Sequence, residues 1–235
     1  MITLALDTTA LIASAAITKN GKLLCEYTVN SGNTHSVTLL PMITHMLETV
    51  KLTPSDIDLY AVSAGPGSFT GVRIGVAAAK GLAFADNTAC IGVSSLEAMA
   101  ENLRGLEGII CPVINARRSQ VYTALFECKN GEIKRLSEDT TMLISELEEA
   151  LGEYPSVWFT GDAYDMVSYM SKNETPANLR ICNAYGVAAA GERIYTASED
   201  KTQFTDVNLS PIYLKKPQAE REREERLERE SKENE

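Results

Sequence analysis

Positive charge is scarce in this sequence. Lys and Arg total 22 against 32 Asp and Glu, a net charge of −10 over 235 residues. A protein that grips a phosphate backbone unaided shows a basic surface, so stand-alone nucleic-acid binding is disfavoured. An acidic chain can still dock on a basic partner that itself holds nucleic acid. Long apolar runs are missing too. The longest weakly polar stretch, Ile74 to Ala85, is broken by Lys80, so no membrane span is expected. The start carries no basic region and Asp7 interrupts its apolar run, so a secretory signal is not expected and the chain reads as cytoplasmic. Five cysteines occur without a C-x-x-C pair, which points to reduced buried thiols rather than a disulfide or zinc framework. Only two histidines are present, His35 and His45. Their separation is not the three or four residues that sets two ligands on one helical face. No G-x-S-x-G occurs, so neither metal-dependent nor nucleophilic catalysis has visible apparatus, and no catalytic or metal-binding residue is assigned.

What is present is the material of a folded core. Apolar residues make up 44% and charged residues 23%, enough apolar surface to offset the entropy of ordering the chain. Ile2 to Leu6, Leu11 to Thr18 and Lys22 to Val29 read as three strands, the last two joined by the hairpin signal Asn20-Gly21. A helix is predicted over Ser36 to Lys51, a strand over Leu59 to Ala64, and a Gly- and Ala-dense helix over Val72 to Ala85. A strand at Ala89 to Val93 and a helix at Ser95 to Leu103, capped by Ser94 or Ser95, complete a βββαβαβα order. After Arg104 to Gly108 the pattern restarts, with strands at Ile109 to Asn115, Gln120 to Cys128, Ile133 to Leu136 and Val157 to Thr160. Helices are predicted at Leu143 to Leu151, Tyr164 to Met170 and Ala184 to Ser198. Two related α/β lobes follow, residues 1–104 and 105–219, each a mixed sheet flanked by helices. Residues 220–235 hold eight acidic and five basic side chains around one Leu. Their acid-first pairs four apart suit an exposed helical or disordered tail.

Three segments carry the functional question. The loop Gly65-Pro66-Gly67-Ser68-Phe69-Thr70-Gly71 follows a strand and opens a helix. Backbone N–H groups at a helix N-terminus suit anions, and glycine allows close approach. It is neither G-x-G-x-x-G nor a P-loop, so a phosphate cradle and a tight strand–helix turn both remain open. Asp7-Thr8-Thr9 ends the first strand and reads equally as a metal–phosphate or nucleotide contact and as a self-capped turn. The candidate phosphate set is therefore Asp7, Thr8, Thr9, Gly65, Gly67, Ser68 and Thr70. On the helix from Ser36, the apolar residues Leu39, Leu40, Met42, Ile43, Met46, Leu47 and Val50 spread over roughly 160° of arc, wider than the stripe of about 100° that one sheet contact needs. Either the helix is well buried, or one edge meets another chain. A partner interface is expected at Val37, Leu40, Ile43 and Leu47, with Val72 and Val76 of the small-residue helix.

The sequence resembles the TsaB (YeaZ) family. The resemblance rests on Leu4-Ala5-Leu6-Asp7-Thr8-Thr9, on His35-Ser36 before an apolar helix, and on Gly65 to Gly75, read G-P-G-S-F-T-G-V-R-I-G. It continues through Asn115-Ala116-Arg117-Arg118 with Val121-Tyr122, and ends in Tyr213-Leu214-Lys215-Lys216-Pro217-Gln218-Ala219-Glu220. It implies the two-lobe actin/sugar-kinase/Hsp70 (ASKHA) fold. It also implies a dimerisation and activation subunit, not itself an enzyme, of the complex that transfers threonylcarbamoyl from its adenylate to the adenosine beside the anticodon. The tRNAs concerned read codons beginning with A. The implied partners are a TsaD-like catalytic paralogue and a TsaE-like ATPase, with a homodimer when the chain is alone and tRNA reached only through the complex. The paralogue's H-x-x-x-H metal pair maps to His35 and Leu39, so the second ligand is missing. Asn115 stands where the family often has an acid. No cofactor is required, and ATP or ADP would be weak or interfacial, in the complex. Two other classes compete. An ATP-dependent phosphotransferase wants a second glycine-rich loop and a carboxylate base; a metal-dependent peptidase wants the ligand set that Leu39 breaks.

Overall fold

A computed structural model describes residues 1–30, 34–152, 154 and 156–216. The charged segment expected at 220–235 lies outside the described residues. The first sheet is built from strands β1 (Ile2–Asp7), β2 (Ala13–Lys19), β3 (Lys22–Val29), β4 (Leu59–Gly65) and β5 (Ala89–Ser94), in the order β3-β2-β1-β4-β5. The β1-β2-β3 meander is antiparallel, and β1, β4 and β5 run parallel. Asn20 and Gly21 hold φ of 52° and 76°, the pair of left-handed residues a two-residue hairpin needs.

Alternation along the strands assigns the two faces. Leu4, Leu6, Ile17, Tyr60 and Val62 point into a core closed by helices α1 (His35–Val50) and α2 (Phe69–Asp86). Ala5, Ala16, Ala61, Ile91 and Val93 point to the other face. That face is covered by α6 (Ala184–Ala197), from the part of the chain expected in the second lobe. Small residues allow it: a Cβ on Gly191 would stand 2.8 Å from the Ala61 Cβ, so helix and sheet touch through Ala and Gly. A Cβ on Gly186 would fall 2.0 Å from the carbonyl of Ala98 in α3 (Ser95–Asn102), so α6 and α3 cross backbone to backbone.

The second sheet centres on β6 (Gly108–Asn115), flanked on one edge by the parallel β11 (Val157–Thr160). The single strand expected over Gln120 to Cys128 is two, β7 (Gln120–Thr123) and β8 (Phe126–Lys129). Both pair with β6 in one antiparallel register, interrupted at Ala124 and Leu125. In that register Ala124 falls opposite Pro112, which has no N–H for the ladder. Leu125 bonds instead to the loop at Leu136 and Ser137. β9 (Glu132–Arg135) pairs with β8, and β10 (Thr140–Leu143), which the sequence pattern did not reveal, pairs with β7. The buried faces of α4 (Ile144–Leu151) and α5 (Tyr164–Val167) close one side. Leu96, Met99 and Leu103, on and just beyond α3, close the other. Helix α3 thus lies between the lobes, with Ala98 on the first sheet and Leu96 on the second. Among the described residues no helix is long and apolar enough to cross a membrane.

Candidate functional site

The turn Asp7-Thr8-Thr9 and the loop Gly65–Gly71 meet at the end of the first sheet, and each occupies the other's polar groups. Asp7 is 1% exposed. One of its oxygens accepts from the Thr9 amide (2.9 Å) and hydroxyl (2.8 Å), and the other from the Ser63 hydroxyl (2.5 Å) and the Cys182 thiol (2.7 Å). A carboxylate has about four lone-pair sites, and four donors fill them. The Thr8 hydroxyl donates to the Gly71 carbonyl (2.7 Å), and the Ser68 amide to the Thr9 carbonyl (2.7 Å). The Gly71 amide donates to the Ser68 hydroxyl, which caps α2 and starts it at Phe69, three residues earlier than the sequence pattern indicates. The glycines serve this closure. Cβ atoms at Gly67, Gly71 and Gly75 would lie 2.6, 2.0 and 2.5 Å from oxygens of Thr9 and Thr8. Of the seven candidate phosphate contacts, Asp7, Thr8, Thr9 and Gly65 are buried, Gly67 is half-buried, and Ser68 and Thr70 are exposed. Ser63 and Cys182 went unrecognised; they lie 56 and 175 residues from Asp7, with no local pattern to link them.

Electrostatics agree with a closed interior here. Burial, with Asp7 as the nearest negative charge, drives the Cys182 thiol well above its ordinary range. Such a thiol stays protonated and donates, as observed. Burial also raises the Asp162 carboxyl, although the Asn115 amide donates to it at 2.7 Å. Asn115 therefore meets a carboxylate from another strand end, and its own side chain accepts from the Arg117 amide at 2.8 Å. His35 lies against the Ala10 carbonyl (2.9 Å), while Leu39 is buried in the first core. No group of three or more His, Cys, Asp or Glu gathers around one point among the described residues.

The expected interface divides by burial. Ile43, Leu47, Val72 and Val76 are 1–7% exposed and belong to this chain's own core. Their helices pack those side chains on the first sheet. Val37 and Leu40 are 69% and 51% exposed, on the outer side of α1. Neighbouring α2 turns Ala77, Gly81 and Phe84 outward, at helical spacing, and Phe84 is 75% exposed. Phe84 was not among the expected contacts; an aromatic in line with two small residues was the available signal.

Similarity to known proteins agrees with this construction. The family model described as "TsaD: tRNA N6-adenosine threonylcarbamoyltransferase" matches residues 28–221. The tRNA threonylcarbamoyladenosine biosynthesis protein TsaB of Bacillus subtilis is 37% identical over 65% of this chain and 67% of its own length. YeaZ from Pseudomonas aeruginosa superposes with a TM-score of 0.75 over 91% of this chain and 99% of its own, at 23% identity. Component A of Acidaminococcus fermentans (R)-2-hydroxyglutaryl-CoA dehydratase shares the fold more distantly, at a TM-score of 0.50 and 11% identity over 83% of this chain and 98% of its own. The architecture is the ASKHA type, two mixed sheets with helices between and around them. By sequence and by fold, the chain belongs to the TsaB (YeaZ) family of tRNA threonylcarbamoyladenosine biosynthesis proteins.

Proposed function

We propose that this chain is a non-catalytic dimerisation and activation subunit in the transfer of threonylcarbamoyl to the adenosine beside the anticodon. The observation that carries the reading is Asp7: the carboxylate best placed to serve a nucleotide or metal is buried and saturated by Thr9, Ser63 and Cys182. A group so held supports the fold and has no lone pair left for chemistry. Function then lies at the surface. Val37 and Leu40 on α1, with Ala77, Gly81 and Phe84 on α2, form an apolar exterior with small residues that let another helix approach closely. This face takes a second copy of the chain when alone and the TsaD-like catalytic paralogue in the working complex, so homodimer and heterodimer exclude each other. A TsaE-like ATPase joins that complex in the cytoplasm. Any ATP or ADP contact from the glycine loop would use the exposed Ser68 and Thr70.

The test is a pair of substitutions. Leu40→Glu sets a charge on an exposed position, so the chain stays folded. The heterodimer should weaken by at least a few kcal/mol, or about a hundredfold or more. Leu47→Glu buries an unpaired charge in the core and should unfold the first lobe. Light scattering and circular dichroism read the two, and threonylcarbamoylation of tRNA by the reconstituted complex reads function. A folded Leu40→Glu chain that still pairs and still supports modification moves the interface elsewhere.

A further inference from the structure

The segment after α6 crosses from one lobe to the other. The Ile212 amide donates to the Ala64 carbonyl at 2.7 Å, and the Ile212 carbonyl fills the space a Cβ on Gly65 would need, 2.2 Å away. Next, Tyr213 stacks on Phe69 of α2, with ring centres 4.7 Å apart, and accepts from Arg73 Nε at 2.8 Å. The Arg73 guanidinium lies 3.9 Å from the Phe69 ring centre. Two residues further on, Lys215 reaches the β6–β7 hairpin of the second lobe. Its ammonium donates to the Ala116 carbonyl (3.0 Å) and Gln120 Oε1 (2.6 Å), 5.6 Å from the Tyr122 ring centre.

That hairpin tip is unusual. Arg117, Arg118 and Ser119 take φ of 63°, 55° and 56° in succession, all left-handed and none glycine. Each such residue carries strain, and strain of this kind gathers at functional sites. All three are exposed, and exposed Lys216 follows Lys215. Arg73, Arg117, Arg118, Lys215 and Lys216 thus belong to one strip that residues 212–216 carry across both lobes. Asp162, bonded to the Asn115 amide at the hairpin's foot, offsets part of this charge.

We propose that this strip contacts the sugar–phosphate backbone of tRNA. The inference rests on the tRNA-modification reading above. Arg73 and Lys215 are held by hydrogen bonds and aromatic faces, so their part in binding loses little side-chain entropy. In a chain of net charge −10, most of the surface repels RNA, so a local cationic strip would also orient it. Binding is weak for the chain alone and adds to what the complex supplies.

The test uses the full-length chain, alone and with its catalytic paralogue, and a fluorescently labelled tRNA transcript titrated across salt concentrations. The variant combines Arg117→Asn, Arg118→Asn and Lys216→Gln; Asn is chosen because it tolerates left-handed backbone. Circular dichroism and melting confirm that it folds. Loss of three phosphate contacts should make the log–log salt slope shallower by about two to three and weaken binding at least about tenfold. Arg117→Lys with Arg118→Lys should keep the slope. An unchanged slope and affinity in the Asn/Gln variant overturns the proposal, as does wild-type chain that shows no salt-dependent tRNA binding in either form. Lost pairing with the paralogue, with tRNA binding intact, would instead make the strip a protein contact. If the chain does not pair at all, the partner reading fails, and the titration of the chain alone still decides this one.

Discussion

At the scale of single residues, burial decides chemistry. Burial pushes the Cys90 thiol up to about 11 and the Cys111 thiol up to about 12, and Cys182 stands higher than ordinary as well. Cys25 is the least buried, although desolvation raises it too. Reactivity follows the thiolate fraction and access. A disulfide reagent at pH 8 should therefore label at most Cys25 in the native protein and all five after unfolding, as peptide mass spectrometry would show. Glu26 gives a second case. Burial raises its carboxyl above the ordinary value, although it accepts from the Tyr185 amide at 3.0 Å. The sign follows from which form is penalised. The ionised form is disfavoured in the native state, so the cost is present at neutral pH and vanishes once both states are protonated. Glu26→Gln keeps an acceptor for Tyr185 and should raise the melting temperature at pH 7, with the gain gone below about pH 4.

At the scale of elements, glycines in one helix have opposite meanings. Helix α2 carries Gly71 against the Thr8 carbonyl and Gly81 with nothing within 4 Å of a built Cβ. Gly71→Ala must push two backbones apart and should lower stability by at least about 3 kcal/mol. Gly81→Ala, on an exposed helix interior, should raise it by roughly 0.5–1 kcal/mol. Urea denaturation of both variants separates the two. The same contrast shows what the glycine-rich string could and could not tell. Its run of small residues before a helix marked close approach, and the strand–turn–helix context was legible. That the Thr8 and Thr9 carbonyls make this close approach was not, because they come from a turn some sixty residues earlier.

At the scale of the whole molecule, the lobes are joined by charge as well as by α3. Glu101 of α3 is buried and pairs with Arg104 and with Arg193 of α6. Glu97 pairs with Arg193 and, at 2.9 Å, with Arg135 of β9, which holds Asp139 at 2.5 Å. One network thus links the helix on the first sheet, the helix between lobes and a strand of the second sheet. Arg104→Ala or Arg193→Ala alone leaves Glu101 one partner and should cost about 1 kcal/mol. The double variant leaves a buried carboxylate unpaired, so the cost should rise to about 3–5 kcal/mol, more than the sum. A double-mutant cycle at pH 7 measures the single costs and their coupling.

Local pattern by itself determined much of this protein. Periods of two and 3.6 residues marked most strands and helices, and Asn20-Gly21 marked its hairpin. The G-P-G-S-F-T-G string and its companions identified the family. Such patterns record which face of an element is apolar, but not what covers it. Only the tertiary structure decided that α6 returns to the first sheet, that Ser63 and Cys182 complete the shell of Asp7, and that Ile43 and Leu47 face inward while Val37 and Leu40 face out. It also decided that residues 212–215 bridge the lobes. Each of these is a contact between segments far apart in sequence, set by close packing of backbones and by the need of every buried polar group for a partner.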